Sequence, residues 1–185
     1  MALAGVPLAA GPDRGRADPV RRGSPAAPRS PTTRTNGFIG TPLARRGTET
    51  RAAIADVFDR AALTAVWDAA LAAPPWPHPP VWVHGDLHPG NLLLAAGQVS
   101  AVLGFGGLGV GDPACDALIA RPLPPCARAT FRAVSGLDDD IWTRGRGYAL
   151  NTGLSAYTAY AATNPRVAAS TRHQITETLA NFQRA

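Results

Sequence analysis

Apolar and polar positions change character along the chain. Residues 1–36 are mostly Ala, Pro, Arg, Gly and Ser with no periodic apolar face, so burial cannot offset the entropy of ordering them, and a disordered leader is expected. From Thr48 onward Ala53, Ile54, Val57, Phe58, Leu63, Val66, Trp67, Ala70 and Leu71 recur at helical spacing. They predict two helices broken near Asp59 and ended by the proline-rich run 74–80. Val81-Trp82-Val83 reads as a short buried strand, and residues 92–94, the turn 95–98 and residues 99–103 read as a β-hairpin. Residues 104–111 form a glycine-rich loop, and Asp112-Pro113 suits the cap and first residue of a helix running to about Ala120. Residues 121–125 break that helix. Three more helices are predicted over 127–134, 139–161 and 165–182, the last with Asn164 as N-cap. The pattern is that of an α+β domain over residues 37–185, mostly α with one small β-hairpin.

Composition narrows the partners. A chain of 185 residues, 45% hydrophobic and 17% charged, fits one globular domain with tails. All 18 basic residues are Arg; Lys is absent. Up to Arg51 there are nine Arg against Asp13, Asp18 and Glu49, a balance of +6, whereas residues 52–185 balance at −1. The high pI therefore belongs to the N-terminal segment. That segment has no aromatic residue before Asn36, which argues against a folded nucleic-acid surface. Cys115 and Cys126 are too few for a zinc knuckle or disulfide framework and read as a reduced, cytosolic pair. Residues 1–10 lack a basic start and are interrupted by Gly5 and Pro7, unlike a signal peptide. No apolar run approaches the roughly 20 residues of a membrane span. A soluble, cytoplasmic protein is expected.

The candidate chemistry lies in His84-Gly85-Asp86-Leu87-His88-Pro89-Gly90-Asn91. Phosphoryl transfer uses a carboxylate near the acceptor hydroxyl and a further oxygen ligand for magnesium, and the protein-kinase catalytic loop places such an Asp and Asn five positions apart. Asp86 and Asn91 have that spacing. The spacing alone admits two other readings. His84, Asp86 and His88 would share one face of an extended segment, as in a metal triad, although Pro89-Gly90 interrupts it and only His78 and His173 remain elsewhere. Alternatively, Asp86 caps a turn and His84 packs.

Other features are weaker. Residues 104–109 satisfy G-x-G-x-x-G, but they follow a hairpin rather than a βαβ unit, and no acid lies between Asp116 and Asp138 to hold a ribose. Asp138, Asp139 and Asp140 suit a helix start with solvated charge better than a metal site. Arg144 and Arg146 fit either a helix surface or an anionic-ligand pocket. Trp67, Trp76, Trp82 and Trp142 suit core or lobe packing.

The stretch from His84 to Leu94 resembles the signature of the aminoglycoside phosphotransferase family, which has a kinase-like fold shared with choline and homoserine kinases. The similarity continues from about Asn36 to the C-terminus, through the Trp67 helix, Gly111-Asp112-Pro113-Ala114-Cys115-Asp116, residues 142–147 and Asn164-Pro165. The resemblance implies transfer of the γ-phosphoryl group of ATP, with Mg2+, to a small hydroxylated or amino-alcohol substrate. Asp86 would be the general base, Asn91 a magnesium ligand, His84 a support of the loop, and Asp112 and Asp116 structural residues around it. Asp138 to Asp140 would lie where family members recognise acceptor amines or hydroxyls.

Two departures qualify these expectations. The family's metal-binding Asp is replaced by Gly104 in Gly104-Phe105-Gly106, and no lysine exists to hold phosphate. Nor does the segment before Asn36 contain strands of an N-terminal lobe, so the chain resembles the C-terminal lobe alone. The expected protein is therefore a phosphotransferase of impaired activity. The alternatives are a non-catalytic remnant or binding module, or one half of a split enzyme whose N-terminal lobe is encoded separately.

Overall fold

A computed structural model describes residues 41–56 and 59–184. The leader 1–36, together with Val57 and Phe58 of the first apolar pattern, lies outside the described residues. A 3-10 turn, Leu43–Arg46, leads into α1 (Gly47–Asp56). Helix α2 (Arg60–Ala72) starts where Asp59 accepts a hydrogen bond from the Ala62 amide at 3.1 Å, an N-cap that accounts for the predicted break. Its stripe Leu63, Val66, Trp67 and Ala70 is buried, as helical spacing requires.

The chain then passes through β1 (Val81–Val83), β2 (Leu92–Ala95), β3 (Gln98–Val102) and β4 (Gly109–Gly111). Strands β2 and β3 form the expected antiparallel hairpin. Its tip uses positive φ at Ala96 and Gly97, the geometry of a tight primed turn, and the register shifts between Leu93 and Leu94. Strand β4 lies in the stretch read as a glycine loop. Its Gly109, Val110 and Gly111 pair antiparallel with Val83, Trp82 and Val81, giving a second two-stranded sheet. Glycine has low β-propensity, so the pairing was not visible in the pattern. Trp82, expected to pack, is 51% exposed, because this small sheet is covered on one face only, where Val83 is buried.

Residues Pro113–Ala120 are wound as a 3-10 helix, and all eight are buried. Helix α3 (Pro125–Ser135) begins slightly earlier than its pattern suggests, with Pro125 in the first turn, where its missing N–H is harmless. Helix α4 (Asp139–Tyr160) is capped by Asp138, which accepts from the Ile141 amide at 2.6 Å, and α5 (Pro165–Gln183) by Asn164. Asp138, Asp139 and Asp140 thus open a helix.

Helix α4 is the centre of the fold, packed on α5, the 3-10 helix, α2 and α1. Tyr148, Ala149, Leu150 and Leu154 of α4 meet Trp67, Leu63, Ile175, Ala114 and Ala117 in one core. Each fully buried Leu or Ile there contributes about 1.5–3 kcal/mol. Arg46 donates to Asn151 at 2.7 Å and Asn151 to Thr50 at 2.8 Å, binding the N-terminal turn and α1 to α4 through a buried polar chain. Among the described residues no helix is long and apolar enough to cross a membrane. The result is a mostly helical α+β fold with small antiparallel sheets, and its sheet face, not its helical core, carries the loop 84–91.

Candidate active site

The loop starts where β1 ends and is held from below by one carboxylate. Asp116, on the buried 3-10 helix and 5% exposed, accepts from the His84 amide at 2.8 Å and from the Gly85 amide at 2.9 Å, one oxygen to each. Two amide dipoles thus offset the desolvation of its charge. Gly85 has φ +78, which turns the chain away from the strand direction.

His84 holds the loop from its side. The Asp86 amide donates to His84 Nδ1 at 3.2 Å, so Nδ1 is the acceptor nitrogen, and the proton is on Nε2, which donates to the Leu103 carbonyl at 2.7 Å. Leu103 in turn donates its amide to the Asn91 carbonyl at 2.8 Å. One backbone residue at the end of the hairpin therefore ties the His84 side chain to the far end of the loop. The Phe105 ring lies 4.9 Å from the His84 ring.

Asp86 and Asn91 come together as their spacing suggests. Asn91 Nδ2 donates to the Asp86 carbonyl at 2.8 Å and to Asp86 Oδ2 at 3.3 Å. Both neighbours accept only, so the amide turns its nitrogen, not its oxygen, toward Asp86. The Asp86 side chain is 63% exposed, with His88 Nε2 at 3.8 Å from Oδ2. His88 Nδ1 accepts from the Gly90 amide at 3.1 Å. Gly104 has φ +77, and a Cβ there would lie 2.6 Å from the Asn91 carboxamide. That amide occupies the space beside residue 104.

His84, Asp86 and His88 do not form a metal triad, because both His84 nitrogens are committed to the loop itself. Among the described residues no group of three or more His, Cys, Asp or Glu is arranged to hold a metal. Asp112 serves the fold: it accepts from the Ala114 amide at 2.9 Å and forms a bidentate pair with Arg144, at 2.7 and 3.1 Å. Arg144 also donates to the Pro74 carbonyl, joining α4, the 3-10 helix and the segment after α2. It is buried, as is Arg146, so a simple helix-surface role fails for both; of the pair, Arg146 lines a cavity. Burial first, then the charges of Asp116 and Asp112, push the Cys115 thiol well up, leaving it neutral and inert. Cys115 and Cys126 are free thiols.

Sequence reading missed two members of this site. A Cβ at Gly107 would lie 2.9 Å from the His84 carbonyl oxygen and 3.2 Å from the Asp86 nitrogen, so that glycine lets the chain pass directly under the loop. The motif 104–109 contains Gly107, but nothing in it signals that contact. Leu103 acts through its backbone, which no side-chain pattern reports. Arg144 was singled out without its partner.

Chemically, an exposed carboxylate on a braced loop, with one amide donor beside it, can accept a proton from a hydroxyl brought within hydrogen-bond reach. A family model described as the phosphotransferase enzyme family matches residues 24–150, which include the loop, Gly104, the Asp112 to Asp116 segment and half of α4. No curated protein and no solved structure matches the chain.

Proposed function

Since the chain belongs to the phosphotransferase enzyme family, we propose that it is a kinase-like C-terminal lobe that keeps the acceptor-side base, Asp86, and has an impaired magnesium and nucleotide site. The carrying observation is the contact at residue 104, where the Asn91 carboxamide fills the place a carboxylate would need. Magnesium takes an octahedral set of oxygen ligands, and usually one or two carboxylates anchor it. The loop offers one carboxylate, and the amide beside it presents nitrogen. With no lysine in the chain to hold phosphate, these residues do not fit the metal–nucleotide pair that the family implies.

Asp86 would still orient a small hydroxylated or amino-alcohol molecule and accept its hydroxyl proton. Purified protein supplied with ATP, magnesium and a panel of such acceptors should give no more product than Asp86→Ala. Calorimetry should detect no magnesium-dependent ATP binding. Micromolar binding, or turnover that Asp86→Ala abolishes, would overturn the impaired reading.

A second reading is favoured by the apolar face around the hairpin. Leu93, Leu94, Val99, Leu103, Phe105 and Leu108 are all exposed, Leu94 to 67%, more clustered apolar surface than scattered single residues produce. A separately encoded lobe with a glycine-rich strand pair and a lysine would cover it and complete the nucleotide site. Mixing the two purified pieces should then create ATP binding that neither has alone. Failure to associate would exclude it.

A further inference from the structure

Outside the loop 84–91, α3, α4 and α5 border an open hollow of about 300 Å3 lined by Arg128, Arg132, Arg146, Arg184, Trp142 and Asn181. None of these residues belongs to the loop 84–91. Arg121, fully buried, lies against two lining residues: its guanidinium stacks 4.0 Å from the Trp142 ring centroid, and it donates to Asn181 Oδ1. Five guanidinium groups therefore meet here.

Two carboxylates answer them. Arg128 pairs with Glu177 at 2.7 Å, and Arg132 pairs with Asp139. Arg121, Arg146 and Arg184 have no carboxylate within ion-pair distance among the described residues, although Asp139 acts on Arg146 and Glu177 on Arg184 from farther away, so five guanidinium groups face two carboxylates. Arg121 and Arg146 share the neutral acceptor Asn181 Oδ1, the second at 3.4 Å; Arg121 also donates to the Trp142 carbonyl at 3.1 Å, and Arg146 lies over the Phe182 ring. Arg121 Nε is buried with no partner, and the Arg184 guanidinium, which interacts electrostatically with Glu177, has no side-chain hydrogen bond or close ion pair among the described residues. Buried cations normally carry a counter-charge, and unpaired polar atoms in native structures call for a missing partner.

We propose that this cavity is an anion site for a phosphoryl oxyanion, either free phosphate or a phosphomonoester, gripped by Arg146 and Arg184 with Arg121 beneath. Planar guanidinium forks suit phosphate oxygens, and two or three of them match a dianion better than chloride. Crowding supports the assignment independently. Burial, followed by the charges of Arg146, Arg128 and Arg132, pulls the Arg121 guanidinium down to about 9. A bound anion relieves that repulsion. The cavity has room for more than one phosphate group, so an ester with a small polar tail is expected to bind at least as well as inorganic phosphate.

Calorimetry and thermal melts of the whole chain, at constant ionic strength, compare phosphate, glycerol phosphate and chloride. Phosphate should raise Tm with the logarithm of its concentration, while chloride does not. Arg184→Gln, an exposed position that leaves the core alone, and Arg146→Gln should each weaken phosphate by about tenfold. Arg45→Gln, exposed at the other end of the chain, should change nothing. Tighter binding of glycerol phosphate identifies the ester as ligand, and phosphate alone identifies the free ion. Equal Tm in phosphate and chloride, or unaltered phosphate affinity in Arg184→Gln, overturns the site even if Arg146→Gln fails to fold.

Discussion

Replacing Asp116 with Ala removes the acceptor of one buried and one part-buried backbone donor. The His84 and Gly85 amides, at 2.8 and 2.9 Å from its two oxygens, would then be left unpaired. Each orphaned buried donor costs about 1–3 kcal/mol, and loss of the buried carboxylate recovers part of this as relieved desolvation. A net cost of about 2–4 kcal/mol is expected, a large share of the roughly 5–15 kcal/mol that holds a domain folded. Asp116→Asn keeps one oxygen but presents an NH2 group to the other donor, and should cost about half as much. Urea unfolding reads both, with a midpoint fall of about 1–2 M for the alanine variant. Amide exchange adds position: His84 and Gly85 should lose protection in both variants while α4 keeps its own. If Asp116→Ala unfolds within about 1 kcal/mol of the parent and both amides exchange as slowly as before, the carboxylate does not hold the loop.

Gly107→Ala should cost about 1–3 kcal/mol in urea melts, since its Cβ meets backbone that cannot step aside, whereas Gly106→Ala, with open space, should cost almost nothing. Arg144→Lys breaks the two-point grip on Asp112 and should lower stability by about 1–2 kcal/mol; an unchanged midpoint would show that the fork is dispensable. Glu177 is held below its ordinary value of 4.5 chiefly by the hydrogen bond from Arg128, against the opposing effect of burial. The unfolded chain therefore binds that proton more readily, so the contribution is complete above pH 4.5 and is lost as pH falls through the lower folded value. Glu177→Gln should flatten the acid side of Tm against pH below about 4.5 and leave the neutral region lower but parallel. Gly104→Asp should displace the Asn91 amide and create magnesium binding measurable by calorimetry; a folded variant that binds none would remove residue 104 from the metal site.

What the sequence disclosed is what local chemistry encodes. Asp59, Asp112, Asp138 and Asn164 announce helix starts because a short acceptor side chain meets free amides within three residues. The proximity of Asp86 and Asn91 was legible because a five-residue loop containing Pro89-Gly90 has few ways to close. The remainder depends on distant partners. Strand β4 exists because β1 lies beside it, and Gly-Val-Gly has no strand signature of its own. Trp82 is apolar yet exposed, and Arg121, Arg144 and Arg146 are charged yet buried, because burial depends on which neighbours satisfy each group. The brace on the loop runs through the Leu103 backbone and the Asp116 carboxylate, 19 and 32 positions from His84, too far for any spacing rule.

The loop and residue 104, where the proposed function would need a metal-binding carboxylate, are supported by different parts of the molecule, and so they can change separately. Asp116 and the His84 ring fix the loop through the 3-10 helix, which is part of the core, and through the end of β3, which pairs with β2. Gly107 fixes it from beneath. A side chain at residue 104, in contrast, would first meet the Asn91 side chain, which is itself anchored to Asp86. A carboxylate at 104 would contribute nothing to the core, and its absence exposes no buried donor. The amide closes over the gap and makes hydrogen bonds there. Stability therefore acts on Asp116, His84 and Gly107 through contacts that residue 104, the proposed metal position, does not share. A chain can in this way keep a well-ordered catalytic loop after the group that gave the loop its chemistry has gone, and intact loop geometry by itself is a measure of folding rather than of activity.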